Sequence, residues 1–158
     1  MPKLKLLLIG KTPKRYLVEC ETSYSERLKK YYKLEIVVIP GQGKGKSLSP
    51  ENLCKLEGEK ILQNLKDNDN LILLDEKGKD YSSPELAQWL EKKLASDNRD
   101  LCFVIGGAFG FSKEVYARAS HKISLSRLTF NHEMVRSIFL EQLYRAFSII
   151  RNEPYHHS

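Results

Sequence analysis

One short apolar run, Leu101 to Ile105, constrains the fold of this chain more than any other stretch. Its β-branched and aromatic residues and its abrupt end favour a strand that is buried on both faces. Glycines follow at positions 106, 107 and 110, and Ser112 is of the type that caps a helix. The pattern therefore predicts a strand, a glycine loop and a helix, in that order.

Two interpretations of the glycine loop remain open from the residues alone. Gly106, Gly107 and Gly110 could serve only as a tight turn between the strand and the helix. Alternatively, they bring the backbone close to a ligand and expose amide N–H groups to it. The loop is not the dinucleotide-binding fingerprint, because its spacing is GGxxG. About 20 residues further on, where that motif has an acid, this chain has Arg127.

Strands and helices alternate along the rest of the chain. Further strands are predicted up to Gly10 and at residues 34–39, 70–75 and 122–125. Helices are predicted over residues 13–32, 49–66 and 132–151, with another capped by Ser83 and a short one after Ser112. This alternation predicts an α/β fold with a mainly parallel sheet flanked by helices. The length of 158 residues suits a single domain over residues 1–158.

The segment PGQGKGKS, residues 40–47, ends like a phosphate-binding loop but lacks its pattern. That motif requires a glycine five positions before Gly45, and this chain has Pro40 there. The helix of the motif should also begin at once, whereas the next predicted cap is Ser49, followed by Pro50. The sequence therefore argues against an ATPase of this type and favours a basic loop that can contact RNA phosphate.

Charge is distributed unevenly along the chain. Residues 1–66 hold 14 Lys and Arg against 7 acids, whereas residues 67–158 hold 12 against 13. A basic half favours a nucleic-acid partner, although a merely soluble basic face is the alternative. No apolar run suits a membrane span or a signal peptide, so a cytoplasmic protein is expected. Cys20, Cys54 and Cys102 form no CxxC pair, which predicts neither a disulfide framework nor a metal site.

Three segments resemble one family of RNA-modifying enzymes: IGGAFGFS, SLSRLTFNH and, at the C-terminus, VRSIFLEQLYRAFSIIRNEPYHH. They are similar to the bacterial ribosomal RNA large subunit methyltransferase H family, within the SPOUT superfamily of S-adenosylmethionine-dependent methyltransferases. The resemblance covers nearly the whole chain, and its tail motif is the most specific part. It implies a SPOUT domain with a C-terminal trefoil knot and a homodimer with active sites at the interface. The implied reaction is methylation at N3 of a pseudouridine in 23S ribosomal RNA, on the assembled 70S ribosome.

The resemblance also implies which residues bind S-adenosylmethionine. They lie on three loop segments: Leu74, Gly106, and Leu125, Ser126, Arg127, Leu128, Thr129 and Phe130. All three segments lie at the ends of predicted strands, where open α/β sheets place their ligands. Apolar walls with free backbone groups suit an adenine ring. From the residues alone, an ordinary core role is the preferred interpretation of the leucines.

Four residues are candidates for catalysis: His132, Arg136, Tyr155 and His156. His132 and Arg136 are four residues apart at the start of the last predicted helix, so they should share one face. A histidine at a helix N-terminus stays neutral more readily and could accept a proton, while Arg136 could hold a phosphate or an oxyanion. Helix capping is the alternative for His132. Tyr155 and His156 close the tail, which the resemblance brings to the active site.

Some residues beside these segments are harder to interpret. Asp75 and Glu76 follow Leu74, and either could act as a base, although exposed loop acids are common. Phe109 and Phe111 depart from the family pattern, which usually has a small or polar residue and a leucine at these positions. These two changes could reshape the pocket.

Two other functions stay open at this point. One is a methyltransferase of the same fold that acts on another RNA, such as tRNA. The other is a basic ribosome-binding protein without catalysis. The intact glycine loop argues against the second, and the absence of an appended RNA-binding domain argues against the first.

Overall fold

The computed structural model describes residues 2–41 and 48–157. Within them the chain forms five strands and five helices. In chain order these are β1 (Leu4–Ile9), α1 (Arg15–Leu28), β2 (Leu34–Ile39), α2 (Pro50–Gln63), β3 (Asn70–Asp80), α3 (Ser83–Ser96), β4 (Leu101–Ile105), α4 (Lys113–Arg118), β5 (His121–Ser124) and α5 (Met134–Ile150).

The five strands form one parallel sheet in the order β2-β1-β4-β3-β5. Strand β4 lies in the middle, between β1 and β3, and all five of its residues are buried. The predicted strand at Leu101–Ile105 and the predicted α/β class are therefore confirmed. Because all strands run in one direction, the segments that follow β3, β4 and β5 leave the sheet at the same edge.

Helices cover both faces of the sheet. Leu6 of β1 belongs to a core that includes residues of α1, α3 and α5, whereas Leu7 belongs to a second core with α2 and α4. Phe139 and Leu140 anchor α5 in the first core, and Ile61 anchors α2 in the second. Burial on both faces explains why β4 is a continuous apolar run rather than an alternating one.

Serine side chains fix the starts of three helices. Ser49 caps α2, with a proline as the first helical residue, and Ser112 caps α4, both as predicted. The predicted cap of α3, Ser83, is wrong by one residue. Ser82 is the cap, and it forms a capping box with Glu85, whose carboxylate accepts a hydrogen bond from the Ser82 amide.

Three of the predicted helices are longer than the observed ones, and α2 ends at Gln63 rather than near residue 66. Helix α1 ends at Leu28 rather than at residue 32, because the Tyr31 amide donates to the Leu28 carbonyl and the chain turns there. Helix α5 begins at Met134 rather than at residue 132. The residues before Met134 form a turn, which places His132 outside the regular helix.

Strand β3 extends past its predicted end at residue 75. Its pairing with β5 shifts register, since Leu74 and Lys79 both lie opposite Ile123, and residues 75–78 bulge out of the ladder. Gly78 makes this close crossing possible, because an added Cβ would lie 2.6 Å from a main-chain carbon of β5. The extension depends on a partner strand that is remote in sequence, so local patterns could not predict it.

The three cysteines are free thiols. Cys102 is buried in β4, and burial, reinforced by the nearby Asp69 carboxylate, raises the pKa of its thiol to about 12. A thiol with that pKa is not a nucleophile at neutral pH, so Cys102 serves as a core residue.

Most of the predicted basic loop at residues 40–47 lies outside the described residues. In the part of the chain that the structure does describe, none of the helices combines the length and the apolar character that crossing a membrane requires. The same residues contain no group of three or more His, Cys, Asp or Glu placed to hold a metal ion.

Candidate functional site

A cavity of about 200 Å³ lies at the edge of the sheet where β4 and β5 end, beside the bulge of β3. Its walls are residues 74–76 at this bulge, the segments that follow β4 and β5, the turn before α5 and the first turn of that helix. Open parallel sheets bind ligands at this edge.

Seven of the eight predicted cofactor residues line the cavity: Leu74, Gly106, Leu125, Ser126, Leu128, Thr129 and Phe130. Arg127 is the exception, since its side chain is exposed and does not line the cavity. The three segments that the resemblance implied thus converge on one place. Their binding roles stay predictions.

The glycine loop after β4 forms one wall. The Gly110 amide donates to the Gly107 carbonyl at 3.3 Å, and Gly110 has a φ of +79°, which favours glycine. At Gly106, an added Cβ would lie 3.0 Å from the ring of Phe111, which itself lines the cavity. The two interpretations of the glycines are therefore compatible, because the tight turn is also a cavity wall.

The segment after β5 forms another part of the lining, and hydrogen bonds of hydroxyl groups hold it in place. The Ser124 hydroxyl donates to the Ser126 carbonyl at 2.9 Å, and the Leu128 amide donates to Ser126 Oγ at 3.0 Å. Thr129 Oγ1 donates to Glu76 Oε2 at 3.0 Å, which joins this segment to the bulge of β3. Leu128 is 74% exposed, so a large apolar side chain is left uncovered at the cavity.

The charged side chains that line the cavity are acidic. Asp75 accepts hydrogen bonds from the Tyr116 hydroxyl and from the Lys77 amide. Burial, followed by the hydrogen bond to Asp75, raises the pKa of Tyr116 above its usual range, so its hydroxyl stays a donor. Among the described residues no Lys or Arg lines the cavity, whereas Glu76 lines it beside Asp75. The lining therefore favours a ligand with positive charge over a phosphate.

His132 lines the cavity from the turn before α5. Its side chain is 41% exposed, and its Nε2 lies 3.9 Å from Glu133 Oε1. Asn131 performs the capping in this turn, because its side-chain oxygen accepts hydrogen bonds from the Glu133 and Met134 amides. The alternative role of His132 as a helix cap is therefore not observed, and its ring is placed to meet a ligand.

Arg136 requires a correction. It is 1% exposed, and its guanidinium donates to Ile9 O at 2.6 Å, Gly10 O at 2.9 Å and Thr12 Oγ1 at 2.9 Å. Its side chain does not line the cavity that His132 lines, so the four-residue spacing does not bring the two groups to one site. We therefore assign Arg136 a structural role, joining α5 to the end of β1, instead of a role in holding phosphate.

Tyr155 packs against Tyr24 of α1 and Tyr144 of α5, His156 contacts Arg145 of α5, and neither of them lines the cavity of its own chain. They form a cluster, here called the tail cluster, with Glu141 and Arg145. Tyr155 donates to Glu141 Oε1 at 2.9 Å, Arg145 Nη2 pairs with the same oxygen at 2.6 Å, and Arg145 Nη1 lies 3.0 Å from His156 Nδ1. His156 Nε2 is buried without a hydrogen-bond partner in the described residues. The tail is thus ordered away from the cavity.

Sequence reasoning missed two residues behind the glycine loop, Cys54 and Glu57 of α2. A signal for Glu57 exists, because it continues the four-residue spacing of Leu53 and Ile61 on the apolar stripe of its helix. A carboxylate where a hydrophobic residue is expected marks either a buried polar contact or a site. Cys54 gave no comparable signal.

Comparisons with known proteins agree with this geometry. The profile of a family described as "Predicted SPOUT methyltransferase" matches residues 2–156. "Ribosomal RNA large subunit methyltransferase H" of Christiangramia forsetii is 49% identical over 154 residues, which cover 98% of each chain. The protein of that name in Parabacteroides distasonis is also 49% identical, over 98% of this chain and 99% of its own. A probable methylase family protein from Haemophilus influenzae Rd KW20 has a similar fold, with a TM-score of 0.54 at 15% identity, over 96% of this chain and 67% of the other.

Proposed function

The chain belongs to the SPOUT methyltransferase family, and we propose that it methylates ribosomal RNA of the large subunit with S-adenosylmethionine as the methyl donor. The observation that carries this proposal is the convergence of three separate segments on one cavity at the edge of the sheet. The names of its full-length relatives support the same substrate class.

The residues around the cavity fit this methyl donor. Leu74, Leu125 and Phe130 offer apolar walls for an adenine ring. Asp75 and Glu76 place negative charge where a sulfonium and an ammonium group would be stabilised. When bound, S-adenosylmethionine supplies a methyl group on a positively charged sulfur. The acidic lining also disfavours nucleotides with phosphate groups, in agreement with the rejection of an ATPase.

The proposed acceptor is N3 of a pseudouridine in 23S ribosomal RNA. An imide N–H must lose its proton as it is methylated, so a proton acceptor near the cavity accelerates the reaction. We assign this role to His132, because its ring lines the cavity and is partly open to solvent. Asp75 is a poorer candidate, since both of its oxygens already accept hydrogen bonds.

We further propose a homodimer in which the tail of one subunit completes the cavity of the other. Within one chain, Glu141 and Arg145 of α5 hold Tyr155 and His156. Leu128 at the cavity is 74% exposed and Phe109 in the glycine loop is 58% exposed, so apolar surface is available there for a partner. The trefoil knot and action on the assembled 70S ribosome in the cytoplasm belong to the same proposal.

The experiment that tests the proposal is methyl transfer from radiolabelled S-adenosylmethionine to intact ribosomes, separated subunits and total tRNA. The modified base is then mapped. We expect label at one pseudouridine of 23S RNA, strongest with intact ribosomes. His132→Asn is expected to lower the rate while cofactor affinity is retained, with Asn131→Ser as the neighbouring control.

Other outcomes of this experiment have distinct meanings. Label on tRNA alone would keep the fold and the methyl donor but overturn the substrate. Absence of label on every RNA, together with absence of S-adenosylmethionine binding in calorimetry, would contradict the proposal as a whole. The non-catalytic ribosome-binding alternative would then be the one to pursue.

A further inference from the structure

Two side chains of α2 contact the glycine loop from outside the cavity lining. Cys54 and Glu57 are three residues apart, so they lie on one face of the helix. The Cys54 thiol donates to the carbonyl of Phe109, with a sulfur–oxygen distance of 3.3 Å, and lies 3.7 Å from the Gly110 carbonyl oxygen. Neither residue lines the cavity. Both therefore act on the loop and not on a ligand.

Glu57 lies directly against Gly107. A Cβ added at Gly107 would be 2.8 Å from one carboxylate oxygen of Glu57 and 2.9 Å from the other. Glu57 is 9% exposed, and burial raises the pKa of its carboxyl group, with Lys60 opposing the shift. A carboxylate in this position has little room to swing away from the loop.

The helix that carries Glu57 also packs closely against the start of α4. A Cβ added at the next residue, Gly58, would lie 2.3 Å from Ser112 Oγ and 3.2 Å from a methyl carbon of Val115. Gly58 thus allows α2 to approach the start of α4 closely. Because Ser112 follows the glycine loop directly, this contact fixes α2 and the loop against each other.

Backbone geometry does not explain why residue 107 is a glycine. The glycines with positive φ in the described residues are Gly10 and Gly110, and Gly107 is not among them. An alanine could therefore adopt the main-chain conformation of residue 107. The obstacle to a side chain there is the Glu57 carboxylate.

We propose that Cys54 and Glu57 form a brace that positions the glycine loop, and that residue 107 is a glycine because of this brace. Both are positioning residues, since they act through the loop that lines the cavity. The inference rests on the proposed function only in the first of its two tests, which measures S-adenosylmethionine binding. The position of the loop can also be measured without a ligand.

The first test is a rescue of binding. Gly107→Ala is expected to weaken S-adenosylmethionine binding about tenfold, because overpacking displaces the loop. Glu57→Ala in the same chain removes the obstacle and should restore most of the affinity. Glu59→Ala, at an exposed position of the same helix, is the matched control and should restore none. Wild-type affinity in Gly107→Ala, or equal rescue by Glu59→Ala, would overturn the brace.

The second test needs no cofactor. Cys54 is half-buried under the loop, so its alkylation rate reports the position of the loop, and half-buried Cys20 is the internal reference. Mass spectrometry should show faster alkylation of Cys54 in Gly107→Ala than in the wild type. Because burial and then the Glu57 charge raise the pKa of the Cys54 thiol, the double variant Glu57→Ala/Gly107→Ala is compared with Glu57→Ala, and these two should react at equal rates. If Gly107→Ala does not fold, Cys54 should react faster in Glu57→Ala than in Glu57→Gln, which loses the same charge but keeps the side-chain volume.

The two tests separate this inference from the proposed function. If the wild-type protein binds no S-adenosylmethionine but the thiol rates follow the expected order, the brace stands and the proposed function fails. If the wild-type protein binds the cofactor and the variants leave the Cys54 rate unchanged, the proposed function stands and the brace is wrong.

Discussion

At the scale of single residues, Arg136 shows that a charged side chain beside a site can belong to the fold. Its guanidinium is buried and donates to two carbonyls at the end of β1. Main-chain oxygens that lose such a donor stay buried without a partner, which costs more free energy than the hydrogen bond itself contributes. From the sequence alone, Arg136 can be interpreted as a phosphate ligand, because its hydrogen-bond partners are remote in the chain.

Arg136→Met is therefore expected to lower the free energy of unfolding by about 2–4 kcal/mol. The affinity for S-adenosylmethionine in the protein that remains folded should change little. Urea unfolding followed by circular dichroism, with calorimetry below the transition, measures both quantities. Loss of activity at unchanged stability would contradict the structural role and return Arg136 to the list of catalytic candidates.

Gly106→Val tests the cavity wall at the same scale. A side chain at residue 106 would push against the ring of Phe111, which lines the cavity. We expect cofactor affinity to fall at least about tenfold, as overpacking of a tight site implies, while the oligomeric state is unchanged. Gly41→Val is the control, since an added Cβ there meets only the Cα of Gly10 at 3.8 Å. Wild-type affinity in calorimetry would remove Gly106 from the site.

Glu57 predicts a pH dependence of stability. Burial raises the pKa of its carboxyl group in the folded state above the ordinary value of 4.5. Ionisation therefore favours the unfolded chain, and the stability that the neutral carboxyl provides is lost as the pH rises through the folded-state pKa. Glu57→Gln should be more stable than the wild type at pH 7, and the difference should vanish as the pH falls below 4.5. Urea unfolding of both proteins across this pH range measures the difference in stability. Equal stabilities at every pH would contradict the prediction.

At the scale of elements, local signals located most helix and strand starts. Strand β4 was predicted to the residue, and Ser49 and Ser112 were predicted as caps, because each signal lies within a few residues of its effect. The extension of β3 was missed, since it requires pairing with β5. The three cofactor segments were predicted from the family resemblance, because the sequence alone does not distinguish leucines that line a site from leucines of the core.

The contact between α2 and α4 gives a prediction in which two effects oppose each other. Gly58→Ala should favour the helix by about 1 kcal/mol through propensity. The added methyl group would meet the side chains of Ser112 and Val115, however, and overpacking of this kind costs about 1–3 kcal/mol. We expect a net loss of stability in thermal unfolding, whereas Glu59→Ala on the same helix should be nearly neutral. A stabilised Gly58→Ala protein would show that the two helices can separate.

At the scale of the whole molecule, the separation of the tail cluster from the cavity predicts complementation between subunits. His156→Ala should lower turnover more than cofactor affinity, because His156 does not line the cavity of its own chain. When His156→Ala and Gly106→Val subunits are mixed in equal amounts, half of the dimers in the proposed two-fold assembly contain one subunit of each kind. One of the two sites in each mixed dimer has both residues intact, so about a quarter of the wild-type sites should be restored. An unchanged methylation rate in His156→Ala would remove the tail from the mechanism. Absence of complementation would contradict the sharing of sites.

The order of the strands has a consequence for biosynthesis. Strand β4 is made after β3 and yet lies between β3 and β1 in the sheet. During translation the chain emerges N-terminus first, so β1 and β2 can pair while β3 has no neighbour. In that interval β1 and β3 each expose an edge that is paired in the finished sheet. Unpaired strand edges promote aggregation with other nascent chains. The entry of β4 thus closes the gap between β1 and β3, and the other edge of β3 stays open until β5 has been made and pairs with it.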